Sequence, residues 1–232
     1  MSEVKLADGE RIDDLQYNGL RIIQNSNFFR FGSDAVELAN FVTCSKKDSA
    51  VDLGSGSGII SILLAGKKGI SVTAVEIQPQ VAQMSEKSVI LNDLQDKVSV
   101  INAPMQEVFK YIEKGSKSIV VCNPPYAPKS SGEQAKTDTV AISRTEVCVT
   151  LKEVVETASN LLNTGGRFYM VHRIDRLSEV MCECSNARLE PKVLQILTPD
   201  DDKDPHIFLI KCIKDGKKGV QVKRPRKIIA YV

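Results

Sequence analysis

The sequence predicts an α/β protein in which a mostly parallel sheet is covered by helices on both faces. Three observations lead there. From residue 48 onward, apolar runs of strand length alternate with segments of helical spacing, the order that builds parallel sheets. A glycine-rich turn, Gly54-Ser55-Gly56-Ser57-Gly58, joins the first of these runs to the first of these helices. The run Ser118 to Cys122 stops at Asn123-Pro124-Pro125-Tyr126, where two prolines end a central strand because neither has a ladder N–H and each fixes its own φ.

The elements follow in order. Residues 5 to 24 hold short alternating segments broken by polar residues and are expected to form a hairpin or cap. They belong to an N-terminal region, residues 1–30, too short to fold alone; residues 31–232 form the single main domain. Phe28 to Phe31 is an aromatic run, after which Gly32-Ser33-Asp34 supplies a turn and a helix start for Ala35 to Val42. Ser49 to Leu53 reads as strand, Ile59 to Ala65 as helix, Ile70 to Val75 as strand and Pro79 to Leu91 as helix. Lys97 to Ile101 is a strand, Met105 to Ile112 a short helix, and Ser118 to Cys122 the fourth strand. Pro128 to Asp138 is polar and without periodicity, a loop; Ser143 to Leu162 reads as a long helix ending near Gly165-Gly166. Arg167 to His172 is a strand, Arg173 to Cys184 a helix, and Lys192 to Leu197 and His206 to Ile213 the last two strands, split by the acidic turn Pro199 to Pro205. A tail rich in Lys and Arg follows.

With 232 residues, 42% of them hydrophobic and 26% charged, the chain suits one domain with a substantial core. Charge is unevenly spread: Lys211 to Lys227 holds eight basic residues against the single acid Asp215, a segment that fits a polyanion as well as an ordinary solvated edge. Six scattered cysteines read as reduced small hydrophobes of a cytoplasmic protein. The start of the chain does not have the pattern of an export signal, and no apolar stretch reaches membrane-spanning length. Cys182 and Cys184, with only His172 and His206 elsewhere, lack the spacing of a four-ligand site, so no metal is expected.

Two motifs carry chemistry. The glycines of Asp52 to Gly58 let the main chain turn tightly and come close to a ligand at a helix start, and Glu76, 18 residues after Gly58, ends the next strand where an acid can accept both hydroxyls of a ribose. The Asn123-Pro124-Pro125-Tyr126 corner presents an amide and an aromatic face on a stiff connection, able to hold a planar nitrogen-bearing substrate and equally able to serve as a plain strand-ending turn.

A dinucleotide-binding turn usually has an apolar residue where this chain has Asp52. That acid, with Asn-Pro-Pro-Tyr after the fourth strand, makes the chain resemble the Rossmann-like S-adenosylmethionine-dependent methyltransferases, specifically those that modify amino groups; the resemblance covers Phe31 to Leu209. It implies a seven-stranded sheet, mostly parallel with an antiparallel last strand. It also implies that Asp52, Gly54, Ser55, Gly56 and Gly58 line the methionine and ribose of the cofactor, with Glu76 on the ribose hydroxyls and Ile77 against the adenine. The Asn123 side chain and the Pro124 carbonyl would accept the hydrogens of the target amine, Asn123 also facing the cofactor, while Tyr126 stacks on the target base without help from a metal. One position departs from the family: the acid that commonly bonds the cofactor adenine is replaced by Asn102-Ala103-Pro104, leaving the Asn102 carbonyl or the Gln106 side chain as a weaker, neutral acceptor.

At closer range, Phe29 to Ala35, the glycine turn, the Asn123 corner and the ending around His206 to Ile229 resemble the bacterial tRNA adenine-N6 methyltransferases that modify the adenosine next to the anticodon of valine tRNA. The resemblance implies a monomer acting on tRNA, with Phe31 and Asp34 closing the cofactor pocket; on the residues alone these are also a core aromatic and a helix cap. Lys223, Arg224, Arg226 and Lys227 are the expected phosphate contacts, and Arg144 either reaches substrate or is an ordinary exposed helix residue. Protein glutamine methylation, another RNA amine as target, and an inactive RNA-binding protein that keeps the cofactor fold stay open as alternatives.

Overall fold

Alternate residues of the central strands pack into two different cores, as a sheet buried on both faces requires. Ala50, Ile119, Val121 and Tyr169 face one core; Val51, Val120, Cys122 and Phe168 face the other. The computed structural model describes residues 4–26, 28, 32–124, 126, 149–199 and 204–228.

A hairpin comes first, β1 (Glu10–Asp14) antiparallel to β2 (Arg21–Asn25) as a two-stranded sheet of its own. Helix α1 (Ser33–Phe41) precedes the repeating unit: β3 (Ser49–Leu53), α2 (Ile59–Lys68), β4 (Ser71–Glu76), α3 (Pro79–Leu91), β5 (Val98–Asn102), a 3₁₀ segment (Met105–Lys110) and β6 (Lys117–Cys122). Then come α4 (Leu151–Leu161), β7 (Leu162–Arg173), a 3₁₀ turn (Ile174–Arg176), α5 (Leu177–Asn186), β8 (Leu189–Thr198), β9 (Ile207–Lys214) and β10 (Gln221–Lys227). The hairpin lies on α3, where Ile23 N–H donates to Ser88 Oγ at 2.9 Å and Ile23 packs with Val81 and Met84.

The strand order is β10-β8-β9-β7-β6-β3-β4-β5. Strands β3 to β9 make the expected seven-stranded sheet, in which β9 runs antiparallel to both β7 and β8. The basic tail adds an eighth strand, β10, parallel to β8 at the open edge. Pro225 is tolerated there because one side of an edge strand needs no ladder donor, and the pairing shifts register between Lys223 and Arg226.

Two helix expectations change. The helix expected from Ser143 begins, among the described residues, at Leu151: Thr150 Oγ1 accepts from Glu153 N–H and Glu153 Oε2 accepts from Thr150 N–H at 2.7 Å, a reciprocal cap worth about 1 kcal/mol. It ends at Leu161, and Gly165-Gly166 falls inside the bulged start of β7, where Gly165 takes φ 79°. The helix expected from Arg173 starts four residues later, because Arg173 still pairs with Ile207 and Ile174–Arg176 form a 3₁₀ turn. The expected loop from Pro128 to Asp138 lies outside the described residues. Among the described residues no helix is long and apolar enough to cross a membrane, and no group of three His, Cys, Asp or Glu side chains could hold a metal.

Candidate active site

The site lies where the sheet changes direction. Strand β3 has β4 on one side and β6 on the other, and Leu53 pairs with both Val75 and Cys122, so Gly54, Glu76 and Asn123 emerge at one level of the sheet. In open α/β sheets this crevice at the carboxyl ends of the strands is where ligands bind.

The glycine turn is tied to β4 by Gly54 N–H and Ser55 N–H, both donating to the Val75 carbonyl at 2.9 and 3.0 Å. Gly58 takes φ 88°, and a Cβ there would collide with Ser85 Oγ of α3, so close packing of turn on helix demands glycine. Gly56, at φ 57°, has nothing within 4 Å of a Cβ position, which leaves its main chain open to a ligand.

Two buried acids flank the turn. Glu76 is 5% exposed; its Oε2 accepts from Gly56 N–H and its Oε1 from Gln78 N–H, each at 2.9 Å. Burial pushes its carboxyl above the ordinary range against the pull of these N–H groups. Asp52 is fully buried, Ser61 Oγ donates to its Oδ2 at 2.8 Å, and its Oδ1 has no partner. Burial lifts the Asp52 carboxyl from 3.8 to about 7, opposed by the hydrogen bonds from Ser61.

At the far side of Glu76, Ile77 is 40% exposed, an apolar face for a planar ring. Asn102 Nδ2 donates to the Glu76 carbonyl at 2.8 Å and the Ile77 carbonyl at 3.1 Å, and Ala103 N–H also donates to the Glu76 carbonyl. With Nδ2 so occupied, Oδ1 is the outward acceptor of Asn102. Gln106 instead donates to Glu153 at 3.4 Å, which leaves Asn102 as the better placed of the two neutral acceptors. A nucleoside-bearing cofactor fits these residues: a ribose acceptor, an adenine face, an open glycine turn, and unpartnered buried oxygens on Asp52 and Ser55.

The Asn123 corner is closed on itself. The Tyr126 hydroxyl donates to the Asp34 carboxylate and lies 2.8 Å from Asn123 Oδ1. A phenol carries one hydrogen, and the charged acceptor takes it more strongly, so Asn123 Oδ1 is left short of a donor. Burial, then the Asp34 charge, pushes the Tyr126 phenol well above its ordinary value and keeps it protonated. Asp34 lies in the first turn of α1, where Gly32 is the N-cap; its Oδ1 accepts from Ala35 N–H at 2.9 Å while its Oδ2 reaches the corner.

Residues missed from sequence surround Tyr126. The His172 ring stands 5.4 Å from the Tyr126 ring at 60°. His172 is fully buried; its Nδ1 accepts from Arg173 N–H at 2.8 Å, which puts the hydrogen of the neutral ring on Nε2, and Nε2 has no partner. Burial, then the Arg176 charge, lowers its pKa from 6.5 to about 4. Arg176 donates to the Tyr126 carbonyl at 3.4 Å and pairs with Glu179. Their place at the carboxyl end of a strand parallel to β6 is the available signal; on sequence alone His172 reads only as a candidate metal ligand.

The four tail cations differ. Arg226 is engaged by Glu37 of α1, a fully buried acid, through contacts of 3.1 and 2.5 Å. Lys223 Nζ stands 5.6 Å over the Phe41 ring, and Lys223, Arg224 and Lys227 are exposed. Phe31 and Arg144 lie outside the described residues.

The profile of the methyltransferase small domain family matches residues 31–183. The tRNA1(Val) (adenine(37)-N6)-methyltransferase of Shewanella woodyi is 24% identical over 184 residues, 77% of this chain and 75% of that one. The protein of the same name from Bacteroides fragilis is 24% identical over 229 residues, 94% and 93% of the two chains. Among solved structures, a predicted O-methyltransferase from Agrobacterium tumefaciens matches with a TM-score of 0.67 at 21% identity, over 84% of this chain and 86% of that one. Geranyl diphosphate C-methyltransferase from Streptomyces coelicolor, crystallised with S-adenosyl-L-homocysteine, matches with a TM-score of 0.59 at 16% identity, over 78% and 77%. These structural likenesses establish the fold.

Proposed function

The chain belongs to the methyltransferase small domain family, and from that premise we propose that it transfers a methyl group from S-adenosylmethionine to the exocyclic N6 of an adenosine in tRNA, the one next to the anticodon of valine tRNA. The observation that carries the reading is Asn123 Oδ1, short of a donor and level with Glu76 and the glycine turn at the switch point of the sheet. The activity named for the relatives supports tRNA and the adenine amine as targets.

Glu76 holds the cofactor ribose: each carboxylate oxygen accepts one main-chain N–H and keeps a second lone pair for a hydroxyl. Ile77 covers one face of the adenine, and Asn102 Oδ1, beside Ala103, accepts from its amino group. Asp52, Ser55 and the backbone of Gly54, Gly56 and Gly58, open at Gly56, serve the methionine end. When bound, S-adenosylmethionine supplies a methyl group already activated on a sulfonium.

The amine of adenine is a poor nucleophile because its lone pair is delocalised into the ring. Asn123 Oδ1 and the Pro124 carbonyl accept its two hydrogens and turn the lone pair toward the methyl donor, catalysis by positioning and preorganised acceptors. Tyr126 stacks on the base. Once the methylated nitrogen carries positive charge its proton passes to solvent water, so no strong base is required. A base beside the anticodon is already partly exposed and costs less to extract than a paired one. Lys223, Arg224 and Lys227 hold RNA phosphates, while Arg226 fixes β10 to α1 through Glu37.

The test is methyl transfer onto total RNA from cells that lack the protein, followed by digestion and mapping of the modified nucleoside. N6-methyladenosine confined to one tRNA loop is expected; modification only of protein would overturn the reading.

A further inference from the structure

The order of the sheet brings the basic tail to the catalytic corner. Strand β10 is parallel to β8, β8 and β7 are each antiparallel to β9, and β7 is parallel to β6. The end of β10, the start of β9 and the ends of β7 and β6 therefore share one edge of the molecule. There a cavity of about 520 Å³ opens beside Tyr126, within the roughly 300–1,000 Å³ range of small-ligand sites.

The walls of this cavity are chemically polarised. Tyr126 and Asp34 form one side, with the Asp34 carboxylate already taken up by the tyrosine hydroxyl. Arg173 and His206 form another: Arg173 pairs with Ile207, and Ile174 N–H donates to the His206 carbonyl at 3.0 Å, so the two side chains leave neighbouring positions across β7 and β9. Ile228, just after β10, joins Ile207 as apolar lining. An aromatic wall at one end, and the Arg173 guanidinium with the His206 ring at the other, match a nucleoside phosphate, with its amino-bearing base toward Tyr126 and its phosphate toward Arg173.

Arg173 is suited to that exchange. Its partner is Asp175 at 2.9 Å, and both side chains are more than half exposed, a surface pair of small net strength that a phosphate can displace. Arg176, by contrast, is 12% exposed and committed to Glu179 and the Tyr126 carbonyl.

We propose that this cavity seats the ribose and phosphate of the target nucleotide, with Arg173 and His206 as the phosphate ligands. The inference rests on the reading of RNA as substrate. It makes recognition of the target a two-ended grip, Asn123 and Tyr126 on the base and Arg173 with His206 on the backbone.

The experiment compares adenosine with adenosine 5′-monophosphate as competitors of tRNA methylation, in the wild type and in Arg173→Ala and His206→Ala. In the wild type the monophosphate should inhibit at roughly ten-fold lower concentration than the nucleoside, the factor expected of one charge-assisted contact. Each variant should lose that preference and raise KM for tRNA by a similar factor, with kcat at saturating tRNA unchanged, and Arg173→Lys should recover part of the effect. S-adenosylmethionine affinity in the variants should match wild type, the sign that they are folded. Equal inhibition by the two competitors in the wild type overturns the proposal even if a variant fails to fold. Absence of any RNA methylation by the wild type overturns the substrate reading instead.

Discussion

The Tyr126 hydroxyl donates to the Asp34 carboxylate, joining the corner after β6 to the first turn of α1, 92 residues earlier in the chain. The contact gives the tyrosine two separable parts: a ring whose face can stack on a base and a hydroxyl that anchors it.

Tyr126→Phe keeps the ring and removes the anchor, so methylation at saturating tRNA should stay within about three-fold of wild type. Tyr126→Ala removes the stacking face, which is worth about 1–3 kcal/mol per base, and should weaken tRNA binding and turnover together by roughly ten- to one-hundred-fold. Steady-state kinetics on tRNA decides between them. Equal losses in Phe and Ala would assign the function to the hydroxyl.

Asn123→Ala removes the proposed side-chain acceptor for the amine without touching Glu76 or the glycine turn. Loss of one preorganised hydrogen-bonding group of this kind costs on the order of 10²–10³ in turnover. Single-turnover methylation should fall by that factor, while the dissociation constant for S-adenosylmethionine, read by calorimetry, stays within about two-fold. A wild-type methylation rate in this variant would remove Asn123 from the chemistry.

What could be read from sequence, and what could not, divides along physical lines. The strand, glycine turn and helix over Ser49 to Lys68 and the strand ending before Asn123 were legible because each depends on neighbours in sequence: apolar runs, glycine and proline. Strand β10 was not, because it is a run of mostly exposed Lys and Arg without apolar alternation, and Pro225 argues against a strand unless the strand lies at an edge. Nor was the join between α4 and β7, where Gly165 looked like the end of a helix but serves a bulge set by pairing with β6. The partners of Asp34, His172 and Arg226 come from distant parts of the chain, and nothing local announces them.

Arg226 should therefore behave differently from its neighbours in β10. Its guanidinium faces the fully buried Glu37, and breaking a buried ion pair from one side costs several kcal/mol where both charges are inaccessible. The Arg226 side chain is 37% exposed, so solvent screening reduces the expected loss for Arg226→Ala to about 2 kcal/mol in urea denaturation. Lys223→Ala and Arg224→Ala should change stability by less than about 0.5 kcal/mol and instead reduce the salt dependence of tRNA binding. Equal stability in all three variants would mean that the Glu37 pair contributes nothing.

Asp52 sets an expected pH dependence for cofactor binding. In the free protein burial holds its carboxyl at about 7, far above 3.8, so it is largely protonated at pH 6 and largely ionised at pH 8. For stability the sign is fixed by the same shift: the folded protein keeps this proton between about 4 and 7 while the unfolded chain has released it, so the contribution is full below about 4 and is lost as pH rises through 7. Binding runs the other way. S-adenosylmethionine is cationic at its sulfonium and ammonium groups, and a cation near the unpartnered Oδ1 favours the ionised carboxylate. Affinity should rise with pH through 7 and level off above it, with binding at pH 6 releasing a proton detectable from the buffer dependence of the calorimetric heat. Asp52→Asn should bind more weakly and flatten the profile. A wild-type affinity that does not change between pH 6 and 8 would separate Asp52 from the cofactor.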